Sequence, residues 1–102
     1  MTLYHIINPM LNDFTYKVDK YGDNDISIRY YLSDSPMSVG VIRANMVMDG
    51  LNRMVPIIKS FDVVRMGEYI MKRYNFSTED PPDIMMEIRK HATIAMIDHN
   101  GE

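Results

Sequence analysis

Two alternating runs flank a tight-turn signal, and they limit what this chain can fold into more than any other feature. From Asp13 to Lys20, Phe14, Tyr16 and Val18 point one way while Thr15, Lys17 and Asp19 point the other. From Ile26 to Leu32, Ile26, Ile28, Tyr30 and Leu32 alternate with Ser27, Arg29 and Tyr31. A period of two sorts each set onto one face of a strand. Between the runs stands Gly22-Asp23-Asn24, residue types that tolerate positive φ and so close hairpins. The pattern predicts an antiparallel hairpin with Thr15, Lys17, Asp19, Arg29 and Tyr31 on its outer face. Such a polar face is normal where only one side of an antiparallel sheet is packed.

Around this hairpin the chain reads as strand before residue 43 and helix after it. Leu3 to Ile7 is a short apolar run, expected as a strand and broken by Asn8-Pro9. Ser33-Asp34-Ser35-Pro36 is a second turn. Met37, Val39 and Val41 then alternate with Ser38 and Gly40, which predicts a fourth strand. A helix beginning at Pro36 with Ser35 as N-cap is the competing reading of residues 36–42. Ala44, Val47, Met48, Leu51 and Val55 recur at helical spacing, with Asn45, Asp49, Asn52 and Arg53 on the other side. That spacing predicts a first helix over Ala44–Val55, with an Asp49–Arg53 pair at i, i+4, ended by Pro56. A second helix is expected from about Phe61 to Asn75, with Val63, Met66, Ile70, Met71 and Tyr74 as its apolar face and a Glu68–Lys72 pair on its polar one. A third is expected to run to about Asp98, with Asp80 as N-cap, Pro81 at N1 and Asp83 near the positive end of the dipole.

The predicted class is therefore α+β: a small N-terminal antiparallel sheet of three to four strands packed against about three C-terminal helices. With 102 residues and 46% apolar content, a single domain with one core is expected. It divides into a strand-rich part over 1–42, a helical part over 43–98 and a frayed tail over 99–102. Cysteine is absent, which removes disulfides, thiolate metal sites and thiol nucleophiles. A small secreted domain more often carries such staples. No apolar run reaches the length of a membrane span, and the start lacks a basic region followed by an apolar one. A cytoplasmic, unprocessed protein with no membrane contact is the expectation.

The net charge of −3 conceals a segmental pattern. Residues 1–34 carry −2, residues 35–75 carry +3 and residues 76–102 carry −4. Elements that neutralise one another on packing account for this more simply than a phosphate-binding patch does. Eleven methionines are unusual, and nine of them lie at or after Met37, whereas five of the seven tyrosines precede Leu32. Unbranched Met favours helices and aromatics favour strands, in keeping with the division above.

No motif names a chemistry. G-x-S-x-G, the P-loop, the dinucleotide glycine fingerprint and H-E-x-x-H are all missing, so an enzyme is not expected. Met46-x-Met48 and Met85-Met86 are too scattered for thioether ligation of a soft metal. Asp83, Glu87 and His91 share a helical stripe but span about 12 Å, too far for one ion, and a solvated Glu87–His91 pair is the better reading. His5 lies in an apolar run and His99 in the tail. No metal or cofactor is expected.

The third helix carries more apolar surface than one packed face needs. Ile84, Met85, Ile88, Ala92, Ala95 and Met96 make one arc, while Met86, Ile94 and Ile97 project on another side, beside Lys90. A second arc means deeper burial or contact with another chain. Ile42 and Met46 make a similar minor stripe on the predicted first helix. The leading expectation is a non-enzymatic protein-interaction module that self-associates, with Ile42, Met46, Met86, Lys90, Ile94 and Ile97 as the contact. Small size, acidity and an Asn/Asp/Ile/Met/Tyr-rich style resemble small accessory proteins of AT-rich viral genomes, and that resemblance implies a host protein as a further partner. The alternative is a nucleic-acid-binding module using Lys17, Arg29 and Tyr31 on the hairpin with Arg53, Arg65 and Lys72 from the basic middle. A small enzyme or ligand-binding domain with a composite site is a weaker third reading.

Overall fold

The structure is a computed structural model, described here over residues 9–74 and 83–101. A 3-10 turn, Pro9–Leu11, leads into four strands, β1 (Phe14–Tyr21), β2 (Asp25–Leu32), β3 (Ser38–Met48) and β4 (Met54–Asp62), followed by two helices, α1 (Val64–Tyr74) and α2 (Ile84–Asn100). The strands form one antiparallel sheet in sequence order, β1-β2-β3-β4. The class is α+β as expected, with two helices in the described residues where about three were predicted. The predicted Leu3–Ile7 strand and the Asp80-Pro81 helix start lie outside the described residues. None of the described helices is long and apolar enough to cross a membrane.

The predicted hairpin forms. Phe14 pairs with Leu32 and Tyr21 with Asp25, and Gly22 takes φ 59° in the turn. One face of the sheet packs on the helices: Ile26, Ile28 and Tyr30 from β2 and Ile42, Ala44 and Met46 from β3 are buried with Met66 and Ile70 of α1 and Ile88, Ala92 and Met96 of α2. The competing helix from Pro36 does not form: Ser38 to Ile42 are strand, and Pro36 and Met37 precede β3 outside any regular element.

The predicted helix over Ala44–Val55 does not form. Ala44 to Met48 complete β3, Asp49 to Arg53 make a turn, and Met54 opens β4. The strand-rich part therefore runs to Asp62, and the helical part begins at Val64 rather than at residue 43. The apparent 3.6 period has a different origin. Val47 and Val55 face each other across the β3–β4 ladder, Ala44 points to the opposite face, and Leu51 stands at the turn, 71% exposed. Pro56 sits within β4 opposite Met46. It is tolerated there because β4 is an edge strand, where a missing N–H breaks no ladder on the open side.

The Asp49–Arg53 pair survives in this different setting. Asp49 Oδ1 accepts from the backbone N–H groups of Leu51 (2.8 Å) and Arg53 (2.9 Å), and the Arg53 guanidinium lies 3.1 Å from Oδ2. These two N–H donors, Arg53 first, and the Arg53 charge hold the Asp49 carboxyl below its ordinary value of 3.8. A folded pKa below the unfolded one means that the turn's contribution is complete above the unfolded value and is lost as pH falls through the folded one. In a carboxyl NMR titration, Asp49 should titrate below 3.8. Asp49→Asn should flatten the acid-side change in β3–β4 amide protection.

The helices match the sequence reading more closely. α1 begins at Val64, since Phe61 still belongs to β4; it buries Met66 and Ile70, Val63 is buried just before its first residue, and Met71 is exposed, against expectation. α2 is capped by Asp83 and not, as expected, by Asp80: Asp83 is extended, its Oδ1 accepts from the Met86 N–H at 3.1 Å, and the helix starts at Ile84. It continues through Asn100, and the Gly101 N–H bonds the Ile97 carbonyl, so residues 99 and 100 belong to the helix and not to a frayed tail.

Candidate interaction surface

Two surfaces remain outside the core: the solvent side of α2 and the face of the sheet that carries no described helix. On α2 the buried residues Ile88, Ala92, Ala95 and Met96 turn toward the sheet. At 100° per residue, Met86, Lys90, Ile94 and Ile97 fall on the opposite side within an arc of about 80°. Met86 is 47% exposed, Ile94 41% and Ile97 39%. Lys90 reaches back along the helix to Glu87, Nζ to Oε1 3.8 Å. The two helices approach closely enough that a Cβ on Gly67 would lie 3.1 Å from Met85 Cε. Val64 and Met71, both exposed on α1, add apolar area to the same helical layer.

Of the predicted contact residues, Met86, Lys90, Ile94 and Ile97 thus lie together on one exposed stripe. Ile42 and Met46 do not join it. They sit on β3, not on a helix, with side chains in the core at 0% and 2% exposure. Their four-residue spacing is two inward periods of a strand, with Ala44 between them, and a partner cannot reach them without opening the fold.

The residues of the alternative reading are divided. Lys17 and Arg29 face each other across β1 and β2, and Tyr31 lies one outward position along from Arg29. Arg65, in the first turn of α1, lines a hollow with Arg29, Val41 and Asp62. Arg53 is held at the β3–β4 turn by Asp49, and Lys72 lies in the last turn of α1. Arg43, read in the sequence as helical, is exposed on β3, and Lys59, not singled out in the sequence, lies beside it at a β4 bulge. That bulge, between Arg43 and Ala44 on the partner strand, hides the strand period that would have marked Lys59 as facing outward.

His91 of α2 and the Asp83 cap are engaged structurally. Tyr30 Oη and His91 Nδ1 share a hydrogen bond of 2.7 Å, and the Tyr16 ring meets His91 edge-on at 4.8 Å. Asp83 is engaged as the cap. Among the described residues no group of three or more His, Cys, Asp or Glu could hold a metal ion. His5 lies outside them. The chain matches no protein-family model, no curated protein and no solved structure.

Proposed function

We propose that the chain is a non-enzymatic protein-interaction module that pairs with a second copy of itself through the solvent side of α2. One observation carries this reading: Met86, Ile94 and Ile97 form an apolar stripe directly opposite the helix's buried face. Apolar side chains are common on surfaces singly, but a contiguous stripe on a helix marks a contact.

The stripe's spacing suits a two-fold axis. Residues 86 and 97 are nearly equidistant from a point between 91 and 92, and so are 90 and 94. Two copies of α2 packed antiparallel about that point place Met86 of one against Ile97 of the other, and Lys90 against Ile94. That is the self-complementary arrangement of an isologous dimer. The stripe is about 16 Å long by helix rise. Met at its end adapts to an imperfect fit, and the Lys90 stem covers apolar surface while its charge stays in water.

Light scattering of the wild type should give a mass above that of the monomer. Ile94→Asp places a carboxylate in the centre of the contact, where desolvation without a partner is costly, and should return a folded monomer with unchanged circular dichroism. Ile97→Lys provides a second test should Ile94→Asp fail to fold. A monomeric wild type, or a dimer that survives both substitutions, overturns the proposal.

A further inference from the structure

The other face of the sheet carries the opposite electrical character from the rest of the chain. Its outward positions hold Lys17 on β1, Arg29 on β2, Arg43 on β3 and Lys59 on β4, one cation on every strand. Lys17 is directly across from Arg29. Arg43 is across from Ser27, one outward position from Arg29, and Lys59 adjoins Ser60, the partner of Arg43. At about 4.8 Å per strand spacing, this diagonal band crosses roughly 15 Å of sheet. Arg65 extends it at the rim. Asp19, Asp25 and Asp62 are the acids of that face, so it is net positive in a chain of net charge −3. Asp19 pairs with Lys17 at 3.9 Å, whereas Arg29, Arg43 and Lys59 form no ion pair among the described residues.

Two hollows flank the band. One, of about 370 Å³, is lined by Tyr21, Asp25, Arg43, Lys59 and Ser60. The other, of about 350 Å³, is lined by Arg29, Ser38, Val41, Asp62 and Arg65. Both are at the lower end of the range for small-molecule sites. Each combines two cations with one carboxylate; the first adds the hydroxyls of Tyr21 and Ser60, the second that of Ser38. Tyr21 closes one side of the first, with its hydroxyl hydrogen-bonded to Ser27 Oγ.

We propose that this face binds a single strand of nucleic acid, with phosphates along the Lys17–Arg29–Arg43–Lys59 band and bases in the two hollows. The carboxylates choose between polyanions. An acidic peptide would bring its charges against Asp25 and Asp62. A nucleotide strand brings anionic phosphates to the band and donor-bearing base edges to the aspartates, which accept from amino groups such as cytosine N4. Bases can enter hollows only when unstacked, which favours a single strand over a duplex. The surface lies on the side of the sheet away from α2, so it stays open in the dimer and does not depend on it.

Fluorescence anisotropy with a mixed-base oligonucleotide of about 12 nucleotides tests this. Four phosphate contacts on a single strand give a salt slope near −2.8, so affinity should fall about 50-fold between 50 and 200 mM salt. Binding should be lost in Arg29→Glu/Arg43→Glu/Lys59→Glu and unchanged in Lys72→Glu. The single variants Arg43→Glu and Lys59→Glu, both at exposed sites, should each weaken it several-fold and cover misfolding of the triple variant. An abasic strand of equal length should bind more weakly than the natural one. Light scattering of the variants should be as for the wild type, which separates this outcome from loss of self-association. Absence of binding, equal binding of the duplex, equal binding of the abasic strand, or equally effective competition by polyglutamate would overturn the proposal.

Discussion

Ile42→Ala should destabilise the fold by about 2–5 kcal/mol, the range for truncating a fully buried Ile. Ile42 lies at the centre of the sheet's packed face, across from Ile28 on β2 and Phe61 on β4, with 0% exposure. Removing three carbons there leaves a cavity that two neighbouring strands and the helices above cannot close without leaving register. For a chain of about 100 residues each kcal/mol corresponds to roughly 4–8 °C in Tm, so the drop should exceed 8 °C. Ile97→Ala, on the solvent side of α2, should cost about half a kcal/mol or less in the monomer, as is usual for surface sites. A denaturant series on both variants at concentrations too low for association checks the contrast. Equal costs would mean that Ile42 and Ile97 occupy similar environments, against the structure.

That contrast is also where the sequence misled. Ile42 and Met46 are four apart, a spacing that helix and strand both permit on one face, since four is a multiple of two and close to 3.6. The hairpin over 13–32 had no such ambiguity, because its alternation is unbroken through eight paired positions and its turn carries glycine at positive φ. In β3 and β4 the alternation is interrupted. One register shift falls opposite Tyr30/Tyr31 and another at Arg43/Ala44, and a turn containing Leu51 supplies a further apolar residue at helical spacing. Asp49-Gly50 and Asn52 are turn chemistry and carried the correct signal. Asn52 takes φ 59°.

The α2 stripe could be read in advance because a helix face is a local property, fixed by spacing alone. The cation band could not. Lys17 and Arg29 were identified together, since one hairpin joins them, but Arg43 and Lys59 reach the band only through pairings across β2–β3 and β3–β4. Arg53 and Lys72 share the basic middle of the sequence, yet the fold carries them to a turn and to the end of α1. Charge density along a chain reports composition, and a sheet redistributes it by register.

Gly40→Ala should also destabilise the fold, and the sign of the effect identifies its cause. Glycine weakens the interior of a strand, because it loses more entropy on folding and packs no side chain. In open surroundings alanine at this position would therefore be neutral or better. Gly40 is not in open surroundings. It lies across from Tyr30 on β2, and α1 with the residue before it packs so closely that a Cβ would sit 2.8 Å from Met66 Sδ and 3.2 Å from Val63 Cγ1. Met66 is fully buried and Val63 nearly so, and Val63 is stiff at χ1, so neither can turn aside into solvent. Overpacking of this kind costs about 1–3 kcal/mol. The neighbour at fault can be identified with a double-mutant cycle. In a Met66→Ala background the space above Gly40 is vacant, and Gly40→Ala should then cost at least about 0.5 kcal/mol less than in the wild type. If the cost is the same in both backgrounds, the contact with Met66 is not what requires glycine. If Gly40→Ala stabilises the protein, α1 does not pack on β3 at the distance described.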